Sequence, residues 1–290
     1  MATSHSLTSL LFFHLAFSSS FVSTRVSSSS IASDQNKFWS KNVQNRTPDS
    51  VFKKLSPLTK KDRNYYFTNN GALPVNSNTQ TNFLNRISIL TEGYKFHLSD
   101  LEEKIPNRAF LPQEIASKIS ISRKSITKLF PKSFELSKQS METTLSYCNA
   151  QAIKGEIKNC PKSLEKMISI SKFALGKNNL LALASECTRS EFLIRKIKKF
   201  DRQKVAAYHE VYPPFAAYFC HSISSTQLYA VDLVEPKTRL PVSTVIAICH
   251  MDTSAWPASH VAFKILKFSP GEGEACHWMS SIDLAWIAVD

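Results

Sequence analysis

In the last third of the chain, apolar residues come in short runs broken by Pro, Gly and Ser. Residues 216–219, 227–234, 242–248 and 261–268 are rich in Val, Ile, Tyr and Phe, and each predicts a strand. Upstream the spacing becomes helical. Leu164, Met167, Ile168 and Leu175 share one face of a helix predicted over residues 161–175, with Gly176 as its stop. A second helix is predicted over residues 132–147, and a third starts with Pro112 in its first position and runs through Ile115 and Ile119. These stripes read as core-facing. Residues 33–93 are polar and Asn-rich, and most of this segment is expected to be mobile or peripheral; its apolar islands, Phe38-Trp39 and residues 51–58, suit short helical turns docked on a core. Together the patterns predict an α+β fold, a helical first half followed by an antiparallel β region, with the compact domain spanning residues 94–290.

Composition sharpens this outline. A chain of 290 residues that is 43% hydrophobic can bury one substantial core, and six glycines exclude a Gly-rich fibrous protein. The apolar run at Leu10-Leu11-Phe12-Phe13 and Leu15-Ala16-Phe17, followed by small residues, reads as a secretory signal over residues 1–28; a Ser-rich leader or a transit peptide is the alternative. Residues 29–93 then form a polar N-terminal segment. No later run is long and apolar enough to span a bilayer. A net charge of +13 predicts attraction to polyanions. Secretion excludes nucleic acid and favours an acidic polysaccharide such as pectin. The basic run Arg195, Lys196, Lys198, Lys199, Arg202 and Lys204, interleaved with Ile194, Ile197 and Phe200, reads as a strand or ribbon with one solvated face. Asn45-Arg46-Thr47 is an N-glycosylation triplet.

The chemistry is concentrated between Tyr208 and His277, in Tyr208-His209, Cys220-His221, Cys249-His250 and Cys276-His277. On a strand, neighbouring side chains point to opposite faces, so each pair sends its first residue one way and its His the other. Such strands lying together gather sulfurs in one layer and imidazoles in another, which suits disulfides on one face and a metal or catalytic His cluster on the other. Neutral imidazole binds copper and zinc well. If the cysteines are oxidised, His209, His221, His250 and His277 remain as candidate ligands, with His260 as a fifth. Each of them alone is as readily a hydrogen-bonded structural residue. Cys148, Cys160, Cys187, Cys220, Cys249 and Cys276 are the disulfide candidates in an oxidising compartment. Cys148 and Cys160 bracket a short loop, and a bridge there contributes about 3 kcal/mol in the chain-entropy model. The zinc alternative lacks a nearby His. No nucleophile elbow, zincin, P-loop or dinucleotide fingerprint is present, and no residue is assigned a catalytic role.

The four pairs, at spacings of 10, 27 and 25 intervening residues, resemble the signature of the plant BURP-domain family. So do the words around Ala247–His250 and Met251-Asp252-Thr253-Ser254-Ala255-Trp256, and Phe110-Leu111-Pro112 at the domain entry. The resemblance implies a disulfide between Cys148 and Cys160. Where the family has a first Cys this chain has Tyr208, and Cys187 lies outside the family pattern; Cys187 is therefore expected to pair with the orphaned partner, the alternative being two free thiols. Phe38-Trp39, Ser56-Pro57-Leu58 and the ending Trp286-Ile287-Ala288-Val289-Asp290 resemble the subgroup of polygalacturonase non-catalytic beta subunits, although their Phe-Thr-x-Tyr repeat is reduced to one altered copy at Phe67-Thr68-Asn69-Asn70. That subgroup implies a non-catalytic cell-wall protein, secreted to the apoplast, whose partners are the polygalacturonase catalytic subunit and pectic polysaccharide. Other family members are copper-dependent cyclases of Tyr and Trp side chains that use these His as ligands. This implies copper as a cofactor and an oxidative enzyme as the alternative function; Tyr65-Tyr66 or Trp39 would be the local targets. A structural role in stress or in seed is a third class.

Overall fold

The computed structural model describes residues 28–55, 84–97, 108–131, 138–186, 191–201 and 204–289. The signal-like residues 1–27, the words at Ser56 and Phe67, Tyr65-Tyr66, Cys187 and Arg202 lie outside the described residues. In chain order the elements are α1 (Ser28–Asn42), α2 (Asp49–Phe52), β1 (Leu84–Asn85), β2 (Lys95–His97), α3 (Gln113–Ala116), α4 (Arg123–Leu129), α5 (Lys138–Asn149), β3 (Ile157–Asn159), α6 (Leu164–Leu175), β4 (Leu180–Leu183), β5 (Glu191–Phe200), β6 (Val205–Val211), β7 (Ala217–Ser222), β8 (Thr226–Val234), β9 (Pro241–His250), α7 (Val261–Leu266), β10 (Ala275–Trp278) and β11 (Leu284–Ala288). The α+β expectation holds, with the helices more dispersed than a purely helical first half.

The strands form two antiparallel sheets. Sheet A has the order β1-β10-β9-β8-β5-β2 and sheet B the order β3-β7-β6-β11-β4. Alternation along each strand gives each sheet two apolar faces. Val205, Ala207, Ala285 and Ile287 of sheet B meet Leu228, Ile246 and Ile248 of sheet A in the layer between the sheets. The outward residues of sheet B, including Ala206, Tyr208, Leu284 and Trp286, pack under α6 and the N-terminal segment. The outward residues of sheet A, including Tyr229, Val231, Val245 and Trp278, are covered by a strap carrying Ile87, Leu90 and Phe96. Phe96 stacks on Trp278 at 4.9 Å between ring centres. Arg86 clamps the strap through a two-pronged bond to Glu274, at 3.0 and 2.9 Å.

The packed unit therefore starts well before residue 94. Leu84 pairs with His277, and the two apolar islands dock on the core as expected, Trp39, Val43, Val51 and Leu55 all being core residues. Trp39 is fully buried, 5.3 Å from the ring of Trp286, and its Nε1 donates to the Asn45 carbonyl at 2.8 Å. A polar, aperiodic sequence conceals this because a few large side chains are enough to fill the outer face of a sheet. The same segment protects the open edge of β4. Gln44 N donates to Leu180 O at 2.8 Å. Asn45 Nδ2 donates to Ala182 O at 2.7 Å while its Oδ1 accepts from Ala182 N at 3.0 Å.

Local signals explain where the elements depart from expectation. α6 begins at Leu164 because Ser163 caps it, accepting from Lys166 N at 3.2 Å, and it ends as expected at Gly176, with φ of 68°. Pro112 precedes α3, which lasts only to Ala116. α5 runs from Lys138 to Asn149. α4 follows a Ser122 cap that periodicity does not reveal. Residues 261–268, expected as a strand, instead form α7 followed by a left-handed Lys267. His260 Nδ1 accepts from Ala262 N at 3.2 Å, and the helix buries Ala262 and Phe263 while Val261 stays exposed. A short apolar run does not separate these two outcomes. Of the basic run, Arg195, Lys196, Lys198 and Lys199 lie on β5, but not on one face. After a bulge between Ile194 and Lys196, Lys196 and Lys198 register with Asp232 and Ala230, whereas Lys199 registers with Tyr229 on the opposite face.

Two predictions follow from the N-terminal packing. Trp39→Ala is expected to cost about 3–5 kcal/mol in chemical denaturation, as for other large core aromatics; a peripheral island would cost a small fraction of that. A glycan on Asn45 replaces the Nδ2 hydrogen that lies on the same side as Oδ1, which is the hydrogen used in the paired contact with Ala182. Asn45 is therefore expected to be unmodified in the folded protein, with an intact mass unchanged by enzymatic removal of N-glycans.

Candidate metal centre between the sheets

The alternation that builds the inter-sheet layer also brings four imidazoles into it. His209 on β6 and His221 on β7 come from sheet B; His250 on β9 and His277 on β10 come from sheet A. Ring centres follow one another around a box: His209 to His221 5.5 Å, His221 to His250 5.3 Å, His250 to His277 5.5 Å, and His277 to His209 5.2 Å.

The Nδ1 atom of each ring is backed by an oxygen. His209 Nδ1 lies 3.2 Å from Asp283 Oδ2. His221 Nδ1 lies 3.7 Å from Glu156 Oε1, a charge contact rather than a hydrogen bond. His250 Nδ1 lies 3.1 Å from Thr226 Oγ1, whose own proton goes to Ile223 O at 2.8 Å, so that the hydroxyl accepts. His277 Nδ1 lies 3.4 Å from the Trp278 carbonyl. Oxygen acceptors at Nδ1 put the proton there and leave the Nε2 lone pair free. His221 Nε2 is buried without a hydrogen-bond partner among the described residues. Burial and the neighbouring imidazoles hold His221 and His250 well below the ordinary imidazole range, and burial and His209 bring His277 down to about 3. These rings are neutral at physiological pH.

A largely enclosed group of imidazoles whose Nε2 lone pairs lack a donor is electrostatically incomplete, and a cation would complete it. The donor set suits copper or zinc. Nitrogen ligands at about 2.0–2.1 Å from an ion place neighbouring ring centres roughly 4.5–5.2 Å apart. The observed box is slightly wider, and among the described residues no three side chains close on a common ion position. The residues fit such an ion after a small inward movement of the rings. His260 does not join the box. Its Nδ1 is the acceptor of the α7 cap, which places the proton on Nε2, and Trp256 lies beside it, 4.4 Å from His260 and 5.4 Å from His250 between ring centres.

The sulfurs do not gather in one layer as expected. Cys249 and Cys276, directly paired across β9 and β10, form a disulfide on the outward face of sheet A. On the outward face of sheet B the equivalent pair is Tyr208 and Cys220. Cys220 is a buried free thiol, pushed up to about 12 by burial; the Cys187 expected to pair with it lies outside the described residues. The Tyr208 hydroxyl reaches past it to α6, donating to Met167 O at 3.1 Å and accepting from Ser171 Oγ at 2.8 Å. Cys148 and Cys160 form the expected local bridge, joining the end of α5 to the residue after β3.

Sequence reading missed the charged groups behind the box. Asp283 Oδ1 accepts from Glu210 N at 3.0 Å. The Glu210 carboxylate is bound by Arg108 and, at 2.9 Å, by Lys54 of the N-terminal segment, all three being buried. Burial draws the Lys54 ammonium below its usual range against the pull of Glu210. A lone acidic residue heading the apolar stretch Leu284–Ala288 was the one available signal for Asp283.

Two facing sheets thus carry a Cys or Tyr outward and a His inward at each of four strand positions. The chain belongs to the BURP domain family, which it matches over residues 83–288. It is similar to "Polygalacturonase-1 non-catalytic subunit beta" of Solanum lycopersicum, at 33% identity over 215 residues, covering 71% of this chain and 34% of that protein. "Polygalacturonase 1 beta-like protein 1" of Arabidopsis thaliana is 32% identical over 214 residues, covering 71% and 34%. The chain thus spans about a third of the length of these curated relatives.

Because Tyr208 and Cys220 oppose each other as Cys249 and Cys276 do, Tyr208→Cys is expected to form a second cross-strand disulfide. In peptide mapping of unfolded, unreduced protein, Cys220 should be alkylated in the natural chain and protected in the variant. Alkylation of Cys220 in both would show that the pair cannot be bridged.

Proposed function

We propose that this chain is a secreted, non-catalytic cell-wall protein that associates with the catalytic subunit of polygalacturonase and modulates pectin breakdown. The observation that carries the reading is similarity over 71% of the chain to proteins named as polygalacturonase non-catalytic subunits. The signal-like start supports export. Among the described residues no helix is long and apolar enough to cross a membrane.

The net charge of +13 supports a carboxylated polymer as ligand. A shallow groove of about 540 Å³ beside the β5 bulge supports it further. Arg195 and Arg239 line it and are solvent-exposed, together with Glu92, and guanidinium forks match carboxylates.

The imidazole box supports a second reading, oxidation of peptide Tyr or Trp side chains. His209, His221, His250 and His277 would hold copper there. Copper, when bound, supplies one-electron oxidation of a phenol or indole. The chain's own part is to orient the four Nε2 atoms.

The immobilised protein is expected to retain polygalacturonase and to bind polygalacturonate in a salt-sensitive manner, with Arg195→Ala/Arg239→Ala weakening the polymer several-fold. Failure to retain either partner would overturn the first reading. Elemental analysis of protein isolated without refolding tests the second. Stoichiometric copper lost in His221→Ala/His250→Ala supports it, and a folded but metal-free natural chain removes it.

A further inference from the structure

The two halves of the box are not backed alike. The sheet A imidazoles rest against neutral oxygens, the Thr226 hydroxyl and the Trp278 carbonyl. The sheet B imidazoles rest against carboxylates, Asp283 for His209 and Glu156 for His221. Asp283 is itself fixed. Oδ1 accepts from Glu210 N at 3.0 Å and Oδ2 from Ser280 N at 3.3 Å. Glu156 accepts from Ile153 N at 3.0 Å.

Four imidazoles offer no negative charge to a divalent cation taken out of water. Two carboxylates immediately behind them supply that charge without occupying coordination positions.

We propose that Asp283, assisted by Glu156, is the positioning residue of the box: it fixes the Nδ1–H tautomer of His209, turns Nε2 inward, and makes the sheet B pair the tight half of a divalent-metal site. The metal half of this statement rests on the metal reading of the box, whereas the tautomer half does not. Asp283 comes from the turn that leads into β11, and its backbone support comes from β6, so the orientation of His209 depends on the pairing of these two strands. The contact from Glu156 is longer, and its share is the smaller one.

The test uses Asp283→Asn and Glu156→Gln in the full chain, with circular dichroism confirming that both fold. In metal-free protein, nitrogen-15 NMR of the imidazoles should show His209 as the Nδ1–H tautomer in the natural chain and a mixed or reversed tautomer in Asp283→Asn. A purely structural role for Asp283 would not move that signal. Titration with Cu²⁺ against a competing chelator should show a 10–100-fold loss of affinity in Asp283→Asn and a smaller loss in Glu156→Gln. An Nε2–H tautomer of His209 in the natural chain overturns the proposal, as does a tautomer or a Cu²⁺ affinity indifferent to Asp283→Asn. A natural chain that binds no Cu²⁺ but whose His209 tautomer responds to Asp283→Asn upholds the positioning role and overturns the metal reading alone.

Discussion

The structure depends on one property of extended backbone: consecutive side chains point to opposite faces. At four strand positions a dipeptide ending in His stands where one face looks into the layer between two sheets and the other looks outward. His209, His221, His250 and His277 are thereby brought together, although they lie on four different strands in two sheets. A shift of one residue in the register of any of these strands would exchange its imidazole for a sulfur or a phenol. The pairing of β6 with β7 and of β9 with β10 is therefore a condition for the site as much as for the fold.

What holds that register differs between the sheets. In sheet A a covalent bridge between Cys249 and Cys276 locks the pair. In sheet B the corresponding position relies on burial and hydrogen bonding, with Tyr208 inserted between β6 and α6 and bound to Met167 and Ser171. A phenol that fills its cavity and satisfies its hydroxyl compensates in packing for the constraint that a bridge would impose on the unfolded chain. The N-terminal segment adds to this side of the molecule. Lys54 approaches Glu210, whose backbone N–H steadies Asp283, so an ionic cluster buried under sheet B lies two contacts from an imidazole. Removing one partner of such a cluster typically costs 3–5 kcal/mol, because it leaves a buried charge uncompensated.

Parts of this were legible before any coordinates. α6 announced itself through its apolar stripe and Gly176, and the strand character of β7, β8 and β9 followed from their β-branched and aromatic residues. Both are local properties. α7 departs from the strand expectation because a short, largely apolar sequence satisfies either period, and the cap from His260 that decides for a helix is itself a local hydrogen bond that residue type does not advertise. That cap also disqualifies His260 as a ligand in the geometry described. Phe38-Trp39 stands out in the sequence as an apolar island suited to a core, but its partner Trp286 does not, because it lies near the other end of the chain.

The sequence by itself determined which residues could carry chemistry. Four imidazoles at fixed places on strand-forming segments must lie opposite their neighbouring Cys or Tyr, since alternation follows from backbone geometry alone. It also determined the local Cys148–Cys160 bridge, where few residues separate the partners. Only the tertiary structure decided that the sulfurs lie on two outer faces instead of one, because two sheets facing each other have one shared inner layer and two separate outer ones. Only it decided that Cys220 remains a thiol, since its register partner is Tyr208. It alone placed Asp283, Glu156 and Thr226 behind the imidazoles. A carboxylate's role depends on what lies within about 3–4 Å of it, and strand pairing across long stretches of chain sets that distance.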